Sequence, residues 1–173
     1  VDPRLDALSN PDWSPDGNLL VFRGVLNGQA DLWTWDLRHD SLGRLTNDMG
    51  DDDEPGFSPG GRYVAWSTES DNAGGIGHRA IWILERRDGS RRLVSRTSGE
   101  ETRPSFGGPS DDSAKLAFLS DRSGIPQVYL AANPFEPGAK AKPATNLLAG
   151  VQCPRLSRDG KRLAISLFEG GAF

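Results

Sequence analysis

The sequence predicts an all-β chain built from repeated four-stranded units. Three observations favour this fold class. The 173 residues include 21 Gly and 12 Pro, which is typical of many short strands joined by turns. Helical periodicity is almost absent, and one segment recurs four times along the chain. The length suits a single domain with its own core.

The repeat begins at a proline and consists of a turn followed by an apolar strand. Its first two copies open with Pro-Asp-Trp-Ser-Pro-Asp-Gly and Pro-Gly-Phe-Ser-Pro-Gly-Gly, and the four copies occupy residues 11–22, 55–66, 104–120 and 154–166. The leading prolines follow one another at intervals of 44, 49 and 50 residues. One propeller blade is about 40–50 residues long. The spacing therefore predicts a β-propeller of four-stranded antiparallel blades.

Each strand of the unit has its own signal. In Ser-Pro-Asp-Gly, proline fixes φ, aspartate bonds its own backbone, and glycine accepts a positive φ, so the motif predicts a tight turn. The strand after it is apolar at consecutive positions, as in residues 19–22, which is typical of a strand covered on both faces. The third strand carries Trp33, Trp82 or Tyr129, which we interpret as packing residues. The outer strands are short and partly polar, at 43–46, 90–94 and 145–148.

These signals divide one structural unit, residues 1–173, into three full blades and a partial fourth. The blades lie at about 9–48, 53–97, 102–149 and 152–173. Closed propellers have roughly four to eight blades. We therefore expect the chain to be a fragment of a larger propeller, or a second chain to complete the ring. Otherwise its unpaired blade edges favour self-association.

The motifs resemble the TolB-like propeller repeat, a relative of WD repeats whose blades begin with Pro-aromatic-Ser-Pro-Asp-Gly. Residues 120–124 are similar to the family's Ser-Asp-Arg-x-Gly turn. The departures are local: Gly60 replaces the usual aspartate, Arg158 replaces the usual proline, and residues 107–113 replace a short turn. The resemblance implies a propeller of the kind found as periplasmic interaction platforms, as gating domains of prolyl-oligopeptidase-type peptidases and in some sugar lyases.

Several functional classes are disfavoured by composition. The net charge is −4 with scattered basic residues, which argues against a nucleic-acid groove. No apolar run approaches the roughly 20 residues that cross a bilayer. The single cysteine, Cys153, excludes an internal disulfide and a Cys-based zinc site, and we interpret it as a buried core thiol. His39 and His78 lie in separate loops, and no Gly-x-Ser-x-Gly occurs. We therefore predict neither catalytic residues nor a cofactor.

The densest charge cluster is an acidic run between the first two blades. It comprises Asp48, Asp51, Asp52, Asp53 and Glu54. These oxygens are suitable ligands for Ca²⁺, but the run lacks the alternating ligands and central glycine of an EF-hand loop. Polar residues also precede the opening prolines of the first and third copies. We therefore interpret the run as a solvated inter-blade loop and keep the metal site as the weaker hypothesis.

Two longer loops are the better candidates for partner recognition, because loops carry function on a rigid scaffold. The first spans residues 69–78 and is glycine-rich, with Asp71, Asn72 and His78 as candidate contacts. The second spans 134–143 and holds Phe135 near prolines. An exposed aromatic on a stiffened loop is suited to anchoring a partner. The alternative is that Phe135 packs against its own blade.

The sequence thus favours a non-enzymatic propeller that binds a protein or peptide and acts as an interaction scaffold in the bacterial periplasm or another exported location. The alternative is the substrate-gating propeller of a prolyl-oligopeptidase-like serine peptidase, with its catalytic domain outside this chain. A propeller-type polyuronate lyase needs histidines clustered around a metal, and this sequence has two isolated ones.

Overall fold

The computed structural model describes residues 5–70 and 76–167. Nearly all regular structure in these ranges is β-strand, and one short 3₁₀ turn covers Asp111–Ser113. The strands are β1 Ala7–Trp13, β2 Leu19–Leu26, β3 Gln29–Asp36, β4 Ser41–Arg44, β5 Asp52–Phe57, β6 Tyr63–Ser70, β7 Ile76–Glu85, β8 Arg91–Ser95, β9 Glu101–Gly107, β10 Lys115–Ser120, β11 Gln127–Ala132, β12 Lys142–Pro143, β13 Val151–Leu156 and β14 Leu163–Leu167.

The strands form three four-stranded sheets and one two-stranded sheet, each in sequence order. The sheets are β1 to β4, β5 to β8, β9 to β12, and β13 with β14, and every neighbouring pair is antiparallel. This arrangement confirms the prediction of three full blades and part of a fourth.

The outer strand of the third blade was predicted at residues 145–148, and this prediction is wrong. The structure places it at Lys142–Pro143, where β12 pairs with β11. Thr145 instead binds the end of β11, because its hydroxyl accepts the backbone N–H of Val128 at 2.9 Å. Thr46 makes the same contact with Leu32 in the first blade, at 2.8 Å. In both blades, a threonine that follows the outer strand thus bonds the chain to the third strand of the same sheet.

The turn between the first and second strands follows the predicted chemistry in blade one. The Ser14 hydroxyl donates to the Asp16 carboxylate at 2.6 Å, and the Asn18 N–H donates to it at 3.2 Å. These bonds hold the pKa of Asp16 well below its usual range. Gly17 has φ +72°, which a residue with a side chain adopts only with strain.

The second blade lacks this aspartate, and the third blade supplies a carboxylate from outside. Asp111, in the insertion at residues 107–113, accepts the Gly60 N–H at 2.7 Å. A Cβ on Gly60 would lie only 2.6 Å from the Asp111 carboxylate oxygen. Two departures from the repeat therefore compensate for each other across a blade boundary. The same insertion also contacts the fourth blade, because the Gly108 N–H donates to the Arg158 carbonyl at 3.2 Å.

The hydrophobic core lies in the seams, by which we mean the packed surfaces between neighbouring blades. Val64 and Trp66 of β6 face the first blade, whereas Ala65 between them faces the third. This two-sided burial explains why the second strands are apolar at consecutive positions. The third-strand aromatics Trp33, Trp82 and Tyr129 are all buried, which confirms their interpretation as packing residues.

Candidate functional site

The first strands of the four sheets, β1, β5, β9 and β13, line one open cavity of about 1150 Å³. We call it the inner groove. All four blade-opening prolines belong to these strands, and the groove wall also includes the exposed Trp13 and Arg155. The repeat thus places the same part of every blade beside one concave surface, which is the usual form of a binding site.

Each first strand bends at a bulge just before or at its proline. The register with the second strand shifts there in all four sheets. The residue before the proline adopts a left-handed backbone in each case: Asn10 (φ 51°), Glu54 (φ 55°), Arg103 (φ 54°) and Cys153 (φ 49°). Such conformations are costly outside glycine, at about 1–2 kcal/mol. Their recurrence at one position of every blade marks these residues as groove residues.

The four groove residues are connected from blade to blade. The Asn10 side-chain amide donates to the Asp53 carboxylate at 2.7 Å, and the Arg103 N–H donates to Glu54 Oε2 at 2.7 Å. Arg103 Nε also lies 3.5 Å from Glu54 Oε1, and Arg103 Nη1 lies 2.7 Å from the Cys153 sulfur. Polar side chains thus continue around the groove without a break between the described blades.

Cys153 was predicted to be a buried core thiol, and the structure contradicts this. Its side chain is exposed beside Arg103, whereas Val151 and Pro154 on either side are buried. The physical reason is the bulge, which interrupts the in-and-out alternation of β13. Sequence reasoning assigned the cysteine by its apolar neighbours. The recurring residue before each proline was the signal that identifies its true position.

A second set of contacts joins the blades two residues after the groove residues. The Asp12 carboxylate accepts the Phe57 N–H at 2.7 Å, and the Ser105 hydroxyl accepts the Leu156 N–H at 3.1 Å. Each bond runs from one blade to the backbone of the next. Burial raises the pKa of Asp12, despite the hydrogen bond from Phe57. The strands that line the inner groove are therefore hydrogen-bonded to one another across the seams.

The acidic run was predicted to be a solvated loop, and for Asp52 this prediction is wrong. Asp52 begins β5, is fully buried, and accepts the indole N–H of Trp66 at 2.9 Å. Burial raises its pKa to about 6, partly offset by hydrogen bonds from the Thr46 and Thr68 hydroxyls. The local pattern of charges gave no sign of this burial, because the covering residues come from two different blades.

Three of the other four carboxylates of the run have separate partners. Asp48 pairs with Arg91 at 2.6 Å, Asp53 binds Asn10, and Glu54 binds Arg103. Within residues 5–70 and 76–167, no three His, Cys, Asp or Glu side chains are placed to hold a metal ion. The weaker hypothesis of a Ca²⁺ site at Asp48, Asp51, Asp52, Asp53 and Glu54 therefore gains no support from the described geometry.

The predicted recognition loop at residues 69–78 is shorter than expected, because β6 extends to Ser70 and β7 begins at Ile76. His78 therefore lies in a strand, where its Nδ1 is 2.8 Å from Glu100 Oε1. Asp71 and Asn72 lie outside the described residues. A contact between a partner and these three residues stays a prediction.

Phe135 is half-buried in the second loop, near the seam between the second and third blades. Its ring stacks on Tyr63 of the second blade with centroids 4.0 Å apart, and on Phe106 of its own blade at 5.7 Å. Phe135 therefore packs against its own blade, as the alternative predicted, and also against the second blade. Its role as a partner anchor stays a prediction.

The observed architecture defines a class of protein: a β-propeller arc whose first strands form a polar inner groove. In the two described ranges, no helix is long and apolar enough to cross a membrane. No protein-family model matches the chain.

Two curated proteins are similar to the chain in sequence. The chain is 31% identical over 122 residues to the uncharacterized protein Atu1656 of Agrobacterium fabrum, covering 68% of this chain and 39% of that protein. It is 27% identical over 126 residues to the Tol-Pal system protein TolB of Francisella tularensis subsp. mediasiatica, covering 73% of this chain and 27% of the relative. The chain is thus similar to TolB in sequence and shares the fold of the TolB-like β-propellers.

Solved structures agree in fold. A TolB-related protein of Agrobacterium tumefaciens superposes with a TM-score of 0.74 at 22% identity, over 94% of this chain and 59% of that one. A puromycin-hydrolyzing peptidase of Mycobacterium tuberculosis superposes with a TM-score of 0.71 at 17% identity, over 98% of this chain and 29% of that one. The chain thus spans between about a quarter and two fifths of the length of the two curated relatives.

Proposed function

We propose that this chain is a non-enzymatic binding module whose inner groove receives a protein or peptide partner. The observation that carries the proposal is the recurrence of a left-handed, side-chain-bearing residue beside one cavity in every blade. Strained backbone persists where the surrounding structure requires it, and it clusters at functional sites. Its position before each proline places a variable side chain on a rigid strand.

The charges of the groove favour a polar partner with an acidic group facing the fourth blade. Glu54 of the second blade and Arg103 of the third neutralise each other. In the fourth blade, Arg155 and Arg158 are exposed. Among the described residues, no carboxylate lies within salt-bridge distance of either arginine. An acidic side chain of the partner would complete this part of the groove by electrostatic complementarity.

Site-specific photo-crosslinking tests the proposal. A photoreactive residue at Asn10 or Arg155 should capture one partner, whereas the same residue at Lys142 on the outer strand β12 should not. With the purified partner, Arg155→Glu should weaken binding by about tenfold, the cost of one unfavourable charge contact of about 1.4 kcal/mol. Lys142→Glu is the matched control and should leave affinity unchanged. Equal capture from the outer strand would contradict a role for the groove.

The second candidate function is substrate gating in a prolyl-oligopeptidase-like serine peptidase. It is favoured by the likeness in fold to the puromycin-hydrolyzing peptidase. The catalytic serine would then lie outside this chain, because Gly-x-Ser-x-Gly does not occur in it. The reading frame that encodes the chain distinguishes the two functions. Continuation into Gly-x-Ser-x-Gly followed by Asp and His supports gating, and continuation into further propeller repeats supports the binding module.

We also propose that the protein acts in the periplasm, because the TolB-like propellers it resembles serve there as interaction platforms. Cell fractionation of the source bacterium tests this location. Release of the protein by osmotic shock together with a periplasmic marker is the expected result, and retention with a cytoplasmic enzyme would contradict it.

A further inference from the structure

Two buried carboxylates occupy the same position in neighbouring blades, and within the described residues an ion pair is found for Glu101 but not for Asp52. Asp52 pairs with Thr68 in the register of the second blade, and Glu101 pairs with Ser120 in that of the third. Arg122 Nη2 contacts both oxygens of Glu101, at 2.6 and 2.7 Å. In the second blade, the sequence at the corresponding positions, 69–77, contains no Lys, Arg or His.

Asp52 lies across the seam between the first and second blades. Thr46, which bonds its carboxyl group, is fastened to β3 of the first blade through Leu32. Trp66, which donates to Oδ1, packs in the cluster that joins the two blades. The second carboxyl oxygen, Oδ2, is buried and accepts no hydrogen bond within the described residues. A buried charge with an unsatisfied oxygen is costly, whereas the protonated form is not charged.

The charged groups around Asp52 add no cation to it. Asp48, in the segment before β5, disfavours ionisation of Asp52, and Asp48 itself pairs with Arg91. The charged side chains on the elements packed against β5 have partners other than Asp52. On β2 and β3, Arg23 lies near Asp53 and Asp31 pairs with Arg44. On β9 and β1, Arg103 pairs with Glu54, Glu101 pairs with Arg122, and Asp12 accepts the Phe57 backbone N–H.

We propose that protonation of Asp52 closes the seam between the first and second blades, and that its ionisation loosens this seam. The uncharged carboxyl keeps the Trp66 and threonine contacts and carries no unpaired charge. The ionised carboxylate keeps the same contacts but is repelled by Asp48. Mild acid is therefore the condition in which the two blades are held most firmly.

The seam is connected to the inner groove through β5, because the groove residue Glu54 lies two residues after Asp52 in this strand. The affinity of the groove for a partner would then depend on whether the seam is closed or loosened. This consequence rests on the proposed function, whereas the closing and loosening of the seam do not. The experiment is therefore done without a partner, so that failure of one proposal is distinguishable from failure of the other.

Hydrogen exchange of the protein at pH 5 and pH 7.5 tests the proposal. A carboxyl pKa that is 3.8 in the open seam and about 6 in the closed one predicts that protection of residues 45–57 falls about tenfold between these conditions. In Asp52→Asn the amide oxygen keeps the Trp66 bond and the amide nitrogen replaces Oδ2, so protection should be the same at both pH values. Asp51→Asn is the matched control and should keep the tenfold dependence.

Two results would overturn the proposal: protection of the seam that does not change with pH in the unmodified protein, or a pH dependence that survives in Asp52→Asn. If that variant does not fold, the carboxyl carbon of Asp52 is titrated by NMR in the unmodified protein. A midpoint near 6 is expected, and a midpoint at or below 4 would overturn the proposal.

Discussion

Glu101 is fully buried, and its carboxylate pairs with Arg122. Arg122 contacts both of its oxygens, and the hydroxyls of Thr97 and Ser120 donate to the same carboxylate at 2.7 and 3.1 Å. Arg122 also lies over the Tyr129 ring, 4.0 Å from its centroid. The Arg of the Ser-Asp-Arg-x-Gly turn is thus the partner of a buried acid rather than a surface charge.

Removal of Arg122 should therefore destabilise the protein strongly. Arg122→Met leaves the Glu101 carboxylate buried without a cation, and breaking such a pair costs about 3–5 kcal/mol. The double variant Arg122→Met with Glu101→Gln should recover most of this loss, because a neutral amide remains hydrogen-bonded to the two hydroxyls. Urea unfolding of the three proteins measures the effect. A loss below about 1 kcal/mol in the single variant would contradict the role of the pair.

At the scale of the element, the insertion at residues 107–113 shows how one blade supplies a carboxylate that the turn of its neighbour lacks. Gly60 departs from the usual aspartate of the turn, and Asp111 of the next blade occupies the space beside it. The two residues are 51 positions apart in the chain. A scan of one repeat against the others finds both departures, but only the structure relates them.

Restoring the repeat consensus at this position should lower stability. Gly60→Asp places a Cβ and a second carboxylate against Asp111, and overpacking of this kind costs about 1–3 kcal/mol. Combining it with Asp111→Ala removes both the clash and the repulsion, so the double variant should be more stable than Gly60→Asp alone. Thermal unfolding compares them. The idea fails if Gly60→Asp is as stable as the unmodified protein.

Other elements show where local patterns stop being informative. The turn motif and the apolar strands predicted the sheets because hairpin chemistry and two-sided burial act over a few residues. The third outer strand was misplaced because β12 has two residues and little pattern of its own. Cys153 and Asp52 were misassigned because a bulge and a seam, respectively, decide their exposure. Both depend on contacts with residues distant in sequence.

At the scale of the whole molecule, the core of the described residues consists of three separate seam clusters. The second and third sheets each pack on two neighbours, whereas β14 is partly exposed, with Leu167 55% accessible. In repeat proteins, stability is close to a sum of unit and interface contributions. The described arc therefore has its most protected strands in the middle.

Hydrogen exchange should follow this gradient. Amides of β6 and β10, which are covered on both faces, should exchange slowest, and amides paired between β13 and β14 should exchange through easier local openings, at least about tenfold faster. The measurement resolves exchange by strand in the protein. Uniform protection across all four sheets would contradict a stability that is distributed among seams.

The bulge before each proline has a consequence for evolution. Asn10, Glu54, Arg103 and Cys153 differ completely in chemistry, yet the backbone is the same at all four positions. The neighbouring proline is exposed in the first blade and buried in the other three, whereas the bulge residue lies beside the groove. If the groove binds a partner as proposed, selection can therefore act at one position per blade without altering the packed seams. Homologous propellers should keep the prolines and diversify at these four positions, so that a new specificity arises by few substitutions.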